Sequence, residues 1–412
     1  MLHNFTIKNN RLFIGGISAE TLVKKYGSPI YVYDADIIKR QYHNIVKNIS
    51  YPKKSVHFAC KANTNIELLK ILRKEGCKLE CVSKGEIFSG FEAGFLPEEI
   101  IYTCSYVTKE ELRFVVENNI MINIDSLKQL EIIGQTYPGH KICLRLNQGI
   151  GAGHHEHTIT GGPNSKFGID ISEIDSVFEI VQKYHLQIIG IHQHIGSGFL
   201  DTVVYMKAVK ALLTTAKLFK NLEFVDFGGG FGIAYTSEQK PLDMKKLGQY
   251  ISGELEKFTA LYKKQVRIFF EPGRYLVGES GVLLGTVTEI KKTPYHTFVG
   301  IDSGMNQLIR PIMYGSYHEI VNASRVKGKE ETIWLVGNIC ESGDVIARER
   351  KITKPKEGDI IAIFNAGAMG YSMSSLYNGR PQPAEILVEG NTSRVIREQN
   401  NLIVDATKKK LR

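Results

Sequence analysis

The stretch His57-Phe58-Ala59-Cys60-Lys61-Ala62-Asn63 decides how the rest of the chain is read. Val56 to Cys60 reads as a short buried strand, and Lys61 sits where it stops. Thr64 then opens an amphipathic run, Asn65 to Lys74, with Leu68, Leu69 and Leu72 on one helical face. A lysine at the carboxyl end of a strand, just ahead of a helix, is where an α/β barrel keeps its reactive groups. A solvated lysine at a strand end is the plainer reading. The apolar flanks weigh against it. They predict a partly desolvated amine, and desolvation lowers an ammonium pKa and frees the amine to condense with a carbonyl.

Outward from this stretch the pattern repeats. Strand-like runs lie at 56–60, 79–82, 100–103, 121–124, 142–147, 188–194, 223–227 and 267–271. Amphipathic runs separate them, among them Lys109 to Asn118, Ser126 to Gln135, Ser172 to Tyr184, Thr202 to Lys220 and Leu242 to Tyr262. Strands alternating with helices imply parallel βα units, and eight of them fit a (β/α)8 TIM-type barrel over 36–280; an open doubly wound sheet is the other arrangement. From Gly281 the texture changes to short β-rich runs: Leu283 to Ile290, Thr297 to Ile301, Thr332 to Val336, Ile360 to Phe364 and Ala384 to Val388. Residues 281–412 therefore read as a second, all-β domain, joined by the N-terminal strands of 1–35.

Composition narrows the function classes. The chain has 412 residues, 43% hydrophobic and 23% charged, which describes an ordinary globular protein of two or three domains. The net charge of +9 is modest for this length, and part of it sits in the tail Lys408-Lys409-Lys410-Leu411-Arg412. No basic stripe interleaved with aromatics is visible, so a nucleic-acid partner is not expected. No stretch is long and apolar enough to span a membrane, and no signal-peptide pattern opens the chain. Cys60, Cys77, Cys81, Cys104, Cys143 and Cys340 form no CxxC pair, which predicts neither zinc nor a disulfide framework and suits a reducing cytoplasm.

Several later segments carry chemistry. Phe227-Gly228-Gly229-Gly230-Phe231-Gly232 follows the seventh strand, where a barrel builds its phosphate site; Gly229 and Gly230 let backbone N–H groups approach a phosphate closely. His192 and His194, in His192-Gln193-His194-Ile195-Gly196-Ser197-Gly198, share one face at strand spacing. A metal between them would need a third ligand, and none is indicated. Gly153-His154-His155-Glu156-His157 looks at first like a metal cluster, but it runs on into a loop ending Ser165-Lys166-Phe167-Gly168. No metal is expected.

Phe58-Ala59-Cys60-Lys61-Ala62-Asn63 resembles the lysine motif of the pyridoxal-phosphate-dependent decarboxylases of the alanine-racemase-like fold, which act on ornithine, arginine and diaminopimelate. The resemblance covers nearly the whole chain. It implies pyridoxal 5'-phosphate as cofactor, held covalently by Lys61. It implies that Glu271, in Glu271-Pro272-Gly273-Arg274, faces the pyridine nitrogen, with Gly273 and Arg274 beside the cofactor. A carboxylate there keeps the nitrogen protonated, so the ring accepts the electrons of a breaking Cα bond. Racemases of this fold carry an arginine at that place, so Glu271 favours decarboxylation. His194 is implied to stack on the ring and Ser197 to hold the phosphate, with Arg145 at the ring side.

The same resemblance assigns substrate binding to Asp302-Ser303-Gly304-Met305-Asn306-Gln307-Leu308-Ile309-Arg310-Pro311-Ile312-Met313-Tyr314, through Arg310 and Tyr314, together with Arg274. Guanidinium groups grip a carboxylate through parallel hydrogen bonds, so a substrate with a distal carboxylate is implied. That is meso-2,6-diaminopimelate, giving L-lysine and CO2. Cys340-Glu341-Ser342-Gly343-Asp344 is implied to arrive from a second copy, with Glu341 on the distal ammonium and Cys340 as catalytic proton donor; a homodimer with shared active sites follows. Tyr371 is expected near both phosphate and substrate. Lys84, Thr103-Cys104-Ser105, Asn338 and Met369 depart from common family wording and bear on the pocket rim. Two other readings stay open: a related decarboxylase of a basic amino acid or polyamine precursor, and a non-catalytic cofactor-binding homologue.

Overall fold

The computed structural model describes residues 4–153, 155 and 158–400. His154, Glu156, His157 and the tail Lys408–Arg412, singled out above, lie outside the described residues. The chain divides into two compact units, one of Arg40–Ile233 and Pro241–Tyr275, the other of Met1–Lys39, Ala234–Lys240 and Leu276–Arg412.

In the first unit eight parallel strands close on themselves: Lys54–Ala59, Lys78–Cys81, Ile100–Thr103, Met121–Ile124, Lys141–Asn147, Gln187–His192, Phe224–Asp226 and Arg267–Phe270. Closure is visible in the register, with Phe270 opposite Val56 and Asn123 opposite Cys143. Ile101, Cys143, Ile189, Phe224 and Phe269, from five different strands, meet in one buried cluster that fills the barrel. Phe224 stacks on Phe269 at 4.6 Å between ring centroids. The helices between strands begin at side-chain caps: Ser83, Thr108, Ser126, Asp201 and Asp243 each accept a backbone N–H of the first turn. Repeated strand–cap–helix units set every strand's carboxyl end on the same rim, which is where a barrel carries its chemistry.

The opening stretch folds almost as its sequence reads. The first strand stops at Ala59, a 3-10 turn holds Cys60–Ala62, and the helix spans Ile66–Lys74. The helix starts after Asn65, whose side chain accepts the Glu67 N–H at 3.0 Å, so asparagine rather than Thr64 is its cap.

In the second unit the strand Ile30–Asp34 runs antiparallel to Gly281–Lys292 and parallel to Ala384–Glu389. Its alternation separates two environments. Ile30 and Val32 join an apolar core with Val282, Leu284, Phe364 and Ile386. Tyr31 and Tyr33 stack on each other at 6.2 Å and enter a polar network described below. The strand Gly281–Lys292 continues to Thr297–Ile301, Glu330–Val336 and Val345–Thr353.

Candidate active site

A cavity of about 350 Å³ opens on the strand ends of the barrel, and Lys61, Glu80, Arg145, Phe167, His194 and Glu271 are among its lining residues. Lys61 keeps 47% of its side chain exposed, and its Nζ donates to Glu80 Oε2 at 3.2 Å. Glu80 is the last but one residue of the second barrel strand and is buried. Burial pulls the Lys61 ammonium down, as its sequence setting suggests, but the carboxylates Glu80, Glu271 and Glu86 outweigh it and the net direction is upward. The expected freeing of the amine by desolvation is thus corrected: acidic neighbours, not apolar flanks, set its state. Burial pushes Glu80 upward in turn, against the pull of Lys61. Thr103, Cys104 and Ser105 also line the cavity, so that departure from the family wording lies in the pocket wall itself.

Glu271 follows the eighth strand and is buried. Its Oε2 lies 3.0 Å from His192 Nε2, and its Oε1 has no hydrogen-bond partner. Burial alone would raise this carboxyl, yet the His192 hydrogen bond and the Lys61 ammonium hold it down at about 2. Asp226, at the end of the seventh strand, brings the third group that the sequence did not indicate: ligand atoms of His192, Asp226 and Glu271 lie within 4.8 Å of one another. Burial and the facing Glu271 carboxylate push Asp226 well above its ordinary value.

The glycine turn follows directly. Gly228 N–H donates to Asp226 Oδ1 at 2.8 Å, and Gly229 N–H donates to His194 Nδ1 at 3.2 Å. Gly230 has φ +97, and a Cβ there would lie 2.2 Å from Gly196 O. Only glycine lets these two loops approach so closely. Burial, with Lys61 and Arg145, holds His194 well below the ordinary imidazole value, so its ring is neutral. Ser197 Oγ accepts from Arg274 Nη2 at 3.3 Å, and Arg274 is 4% exposed. Arg145 pairs with Asp125 at 3.3 Å and lies over the Phe167 ring at 4.7 Å. The barrel thus brings Lys61, Arg145, His194, Ser197, Gly229, Gly230, Glu271, Gly273 and Arg274 to its strand-end rim.

This donor set fits pyridoxal phosphate. It offers a primary amine, a buried anion among the lining residues with one oxygen lacking a hydrogen-bond partner, a flat neutral imidazole, and a glycine turn beside a hydroxyl and a guanidinium.

The remaining candidates belong to the sheet-rich unit. Arg310 opens the short helix Arg310–Tyr314 and is 1% exposed. Its Nη2 donates to Tyr235 at 3.3 Å and to Ser316 at 3.2 Å, and its guanidinium faces the Tyr235 and Tyr314 rings. Tyr371 is buried, with the Arg397 guanidinium 4.6 Å over its ring and Tyr31 edge-on at 6.0 Å. Arg397 pairs with the fully buried Glu385 at 3.1 Å, which also accepts from Tyr33 at 2.5 Å. Cys340 and Glu341 are exposed. Their turn is built by Asp344, which accepts from Ile339 N–H at 2.8 Å and Met305 N–H at 2.7 Å. Cys340 N–H donates to Asn378 at 2.7 Å.

Sequence reasoning passed over Glu80, Asp125, Asp226, Tyr235, Glu385 and Arg397. Asp226 had a signal: an aspartate two residues before a glycine favours a side-chain-to-backbone turn. Tyr235 had none, because it follows the glycine turn in sequence yet clusters with the sheet-rich unit.

Comparison with known proteins gives a consistent answer. A profile of the pyridoxal-dependent decarboxylases, pyridoxal binding domain, matches residues 35–278. A diaminopimelate decarboxylase of Methanothermobacter thermautotrophicus is 43% identical over 94% of this chain and 93% of its own. That of Escherichia coli K12 is 35% identical over 94% and 95%. The crystal structure of diaminopimelate decarboxylase from M. jannaschii in complex with L-lysine superposes with a TM-score of 0.89, at 32% identity, covering 98% of each chain. No helix of the described residues is long and apolar enough to cross a membrane.

Proposed function

The chain belongs to the pyridoxal-dependent decarboxylases, among the diaminopimelate decarboxylases, and from that membership we propose how its residues act. The reaction is pyridoxal-phosphate-dependent decarboxylation of meso-2,6-diaminopimelate to L-lysine and CO2. The observation that carries the assignment of roles is Glu271, a buried carboxylate held ionised with one oxygen left for a partner. When bound, the cofactor would supply a carbonyl for an amine and a ring that accepts the electron pair left on Cα when CO2 departs. An anion at the ring nitrogen favours that uptake.

Lys61 would hold the cofactor through its amine. The phosphate would be held by the Gly230 N–H and the Ser197 hydroxyl, with Gly229, whose own N–H is engaged by His194, and Arg274 and Gly273 alongside. His194 would support the cofactor ring with its flat, neutral imidazole. Arg310 and Tyr314 grip the distal carboxylate, Glu341 the distal ammonium, and Tyr371 and Arg274 orient the reacting end. Cys340 delivers a proton from Sγ to the carbon that has lost CO2. Because Cys340 and Glu341 reach the site from a second copy, the working unit is a homodimer. A guanidinium fixed by the Tyr235 and Ser316 hydroxyls supports the use of Arg310 for a second carboxylate, which ornithine and arginine lack.

The test is CO2 release from cofactor-loaded protein given meso-diaminopimelate, ornithine, arginine and lysine in parallel. Release from the diacid alone, with lysine as product, is expected. Lys61→Ala should abolish both turnover and the absorbance of bound cofactor; retained activity would overturn the role of Lys61.

A further inference from the structure

We propose that His192 is a positioning residue for Glu271, donating from Nε2 to Oε2 and so turning the other carboxylate oxygen toward the ring nitrogen of the cofactor. The inference rests on the reading of Glu271 as that nitrogen's partner. His192 is fully buried, and its Nε2 is 3.0 Å from Glu271 Oε2. An imidazole nitrogen at this distance from a carboxylate oxygen serves as donor. Glu271 Oε1 is buried and has no other partner, and the residue lines the cavity.

The arrangement has a second half. Asp226 and Glu271 are two buried carboxyl groups whose oxygens lie within 4.8 Å of each other. Like charges so close and so dry do not both ionise, so the pair holds one proton. Where that proton sits decides whether the ring nitrogen meets an anion or a neutral acid. Asp226 accepts one hydrogen bond, from Gly228 N–H. Glu271 receives the His192 donor, which favours charge on Glu271 and leaves the proton with Asp226. The other titratable groups around the trio are His57, Lys61, Glu80, Cys143, Arg145, His194 and Tyr205. Lys61 is engaged by Glu80 and Arg145 by Asp125, each by a direct ion pair. Among the nitrogen donors of these described residues, His192 addresses Glu271 directly at hydrogen-bond distance. Removing it lets the proton move to Glu271, and the nitrogen loses its anionic partner.

The test loads wild type and variants with ring-15N-labelled pyridoxal phosphate and reads the protonation of that nitrogen by NMR, alongside kcat and KM. Wild type and His192→Gln, whose amide nitrogen can reach the place of Nε2, should show a protonated nitrogen. His192→Phe should show a deprotonated one at neutral pH. Its kcat should fall about 10–100-fold, the usual loss when a supporting group is removed, with KM little changed. If His192→Phe does not load cofactor, His192→Asn, whose shorter amide fits within the imidazole volume, gives the same readout. A protonated nitrogen in the loaded Phe or Asn variant, or a fall confined to KM, would overturn the proposal. Glu271→Gln separates the two layers. If it too leaves the nitrogen protonated, the underlying reading of Glu271 fails. If it deprotonates the nitrogen while the His192 variants do not, only the role of His192 fails.

Discussion

His57 offers the sharpest quantitative test of the barrel beneath the site. It lies in the strand that ends before Lys61, is 2% exposed, meets Phe269 edge-on at 4.6 Å, and leaves Nδ1 without a partner. Burial, reinforced by Lys78 and Arg267 against the pull of Glu271, lowers this imidazole from 6.5 to about 3. The unfolded chain therefore takes up a proton as pH falls through 6.5, while the folded chain does not until about 3. Stability rises with pH wherever the unfolded state binds more protons, so the contribution is whole above pH 6.5 and is lost as pH falls toward 3. At about 1.4 kcal/mol per pH unit the ceiling is about 5 kcal/mol, of which about 2 kcal/mol is lost by pH 5. His57→Phe keeps an aromatic ring against Phe269 and removes the titration. Between pH 7 and pH 5 the wild type should lose about 2 kcal/mol more than the variant, or about 4 °C in Tm for a unit of this size. Thermal unfolding of both proteins across that range measures it, since other titrating groups cancel in the difference. Parallel curves would refute the reasoning.

Three further outcomes follow from the site. Arg310→Met should lower kcat/KM for the diacid about 100–1,000-fold, the worth of a two-bond grip on a carboxylate, in steady-state assays of CO2 release; unimpaired turnover would remove Arg310 from the substrate. Mixing Lys61→Ala with Cys340→Ala, each inactive or nearly so, should restore roughly a quarter of wild-type activity if chains pair at random and share sites. No recovery after verified subunit exchange would place Cys340 in its own chain's site. Gly230→Ala, forced into φ +97 with its Cβ 2.2 Å from Gly196 O, should weaken retention of the cofactor, measured as its dissociation constant by equilibrium dialysis. An unaltered constant would show that the turn does not cradle the phosphate.

Much of this was legible in the sequence because it is periodic or punctuated. Eight apolar runs bounded by caps such as Ser83, Thr108 and Ser126 declare the barrel. Lys61, Glu271 and the glycine turn stand at strand ends, where position alone narrows their use. The strand Val345–Thr353 escaped notice because its run of Arg348, Glu349, Arg350 and Lys351 hides the alternation of a half-exposed strand. The state of Lys61 was misjudged for a different reason: Glu80, Glu86 and Glu271 come from other strands and helices, and proximity across a closed sheet leaves no mark in local sequence. The same holds for Asp226 beside Glu271, and for Arg397 and Glu385 behind Tyr371. Buried charge networks are assembled from afar, so single residues announce themselves while their partners do not.

The strand Ile30–Asp34 has a consequence for how the chain is made. All five of its residues are buried, and both of its neighbours, Gly281–Lys292 and Ala384–Glu389, lie far downstream. On the ribosome it emerges early and must wait. With translation at roughly 5–20 residues per second, the about 350 residues to its second neighbour occupy on the order of 20–70 seconds. During that wait Ile30-Tyr31-Val32-Tyr33 is an apolar segment with no sheet to enter, ahead of a barrel whose own strands can pair in the meantime. The sequence of assembly is therefore imposed by the route of the chain: the middle folds first, and the beginning is finished last.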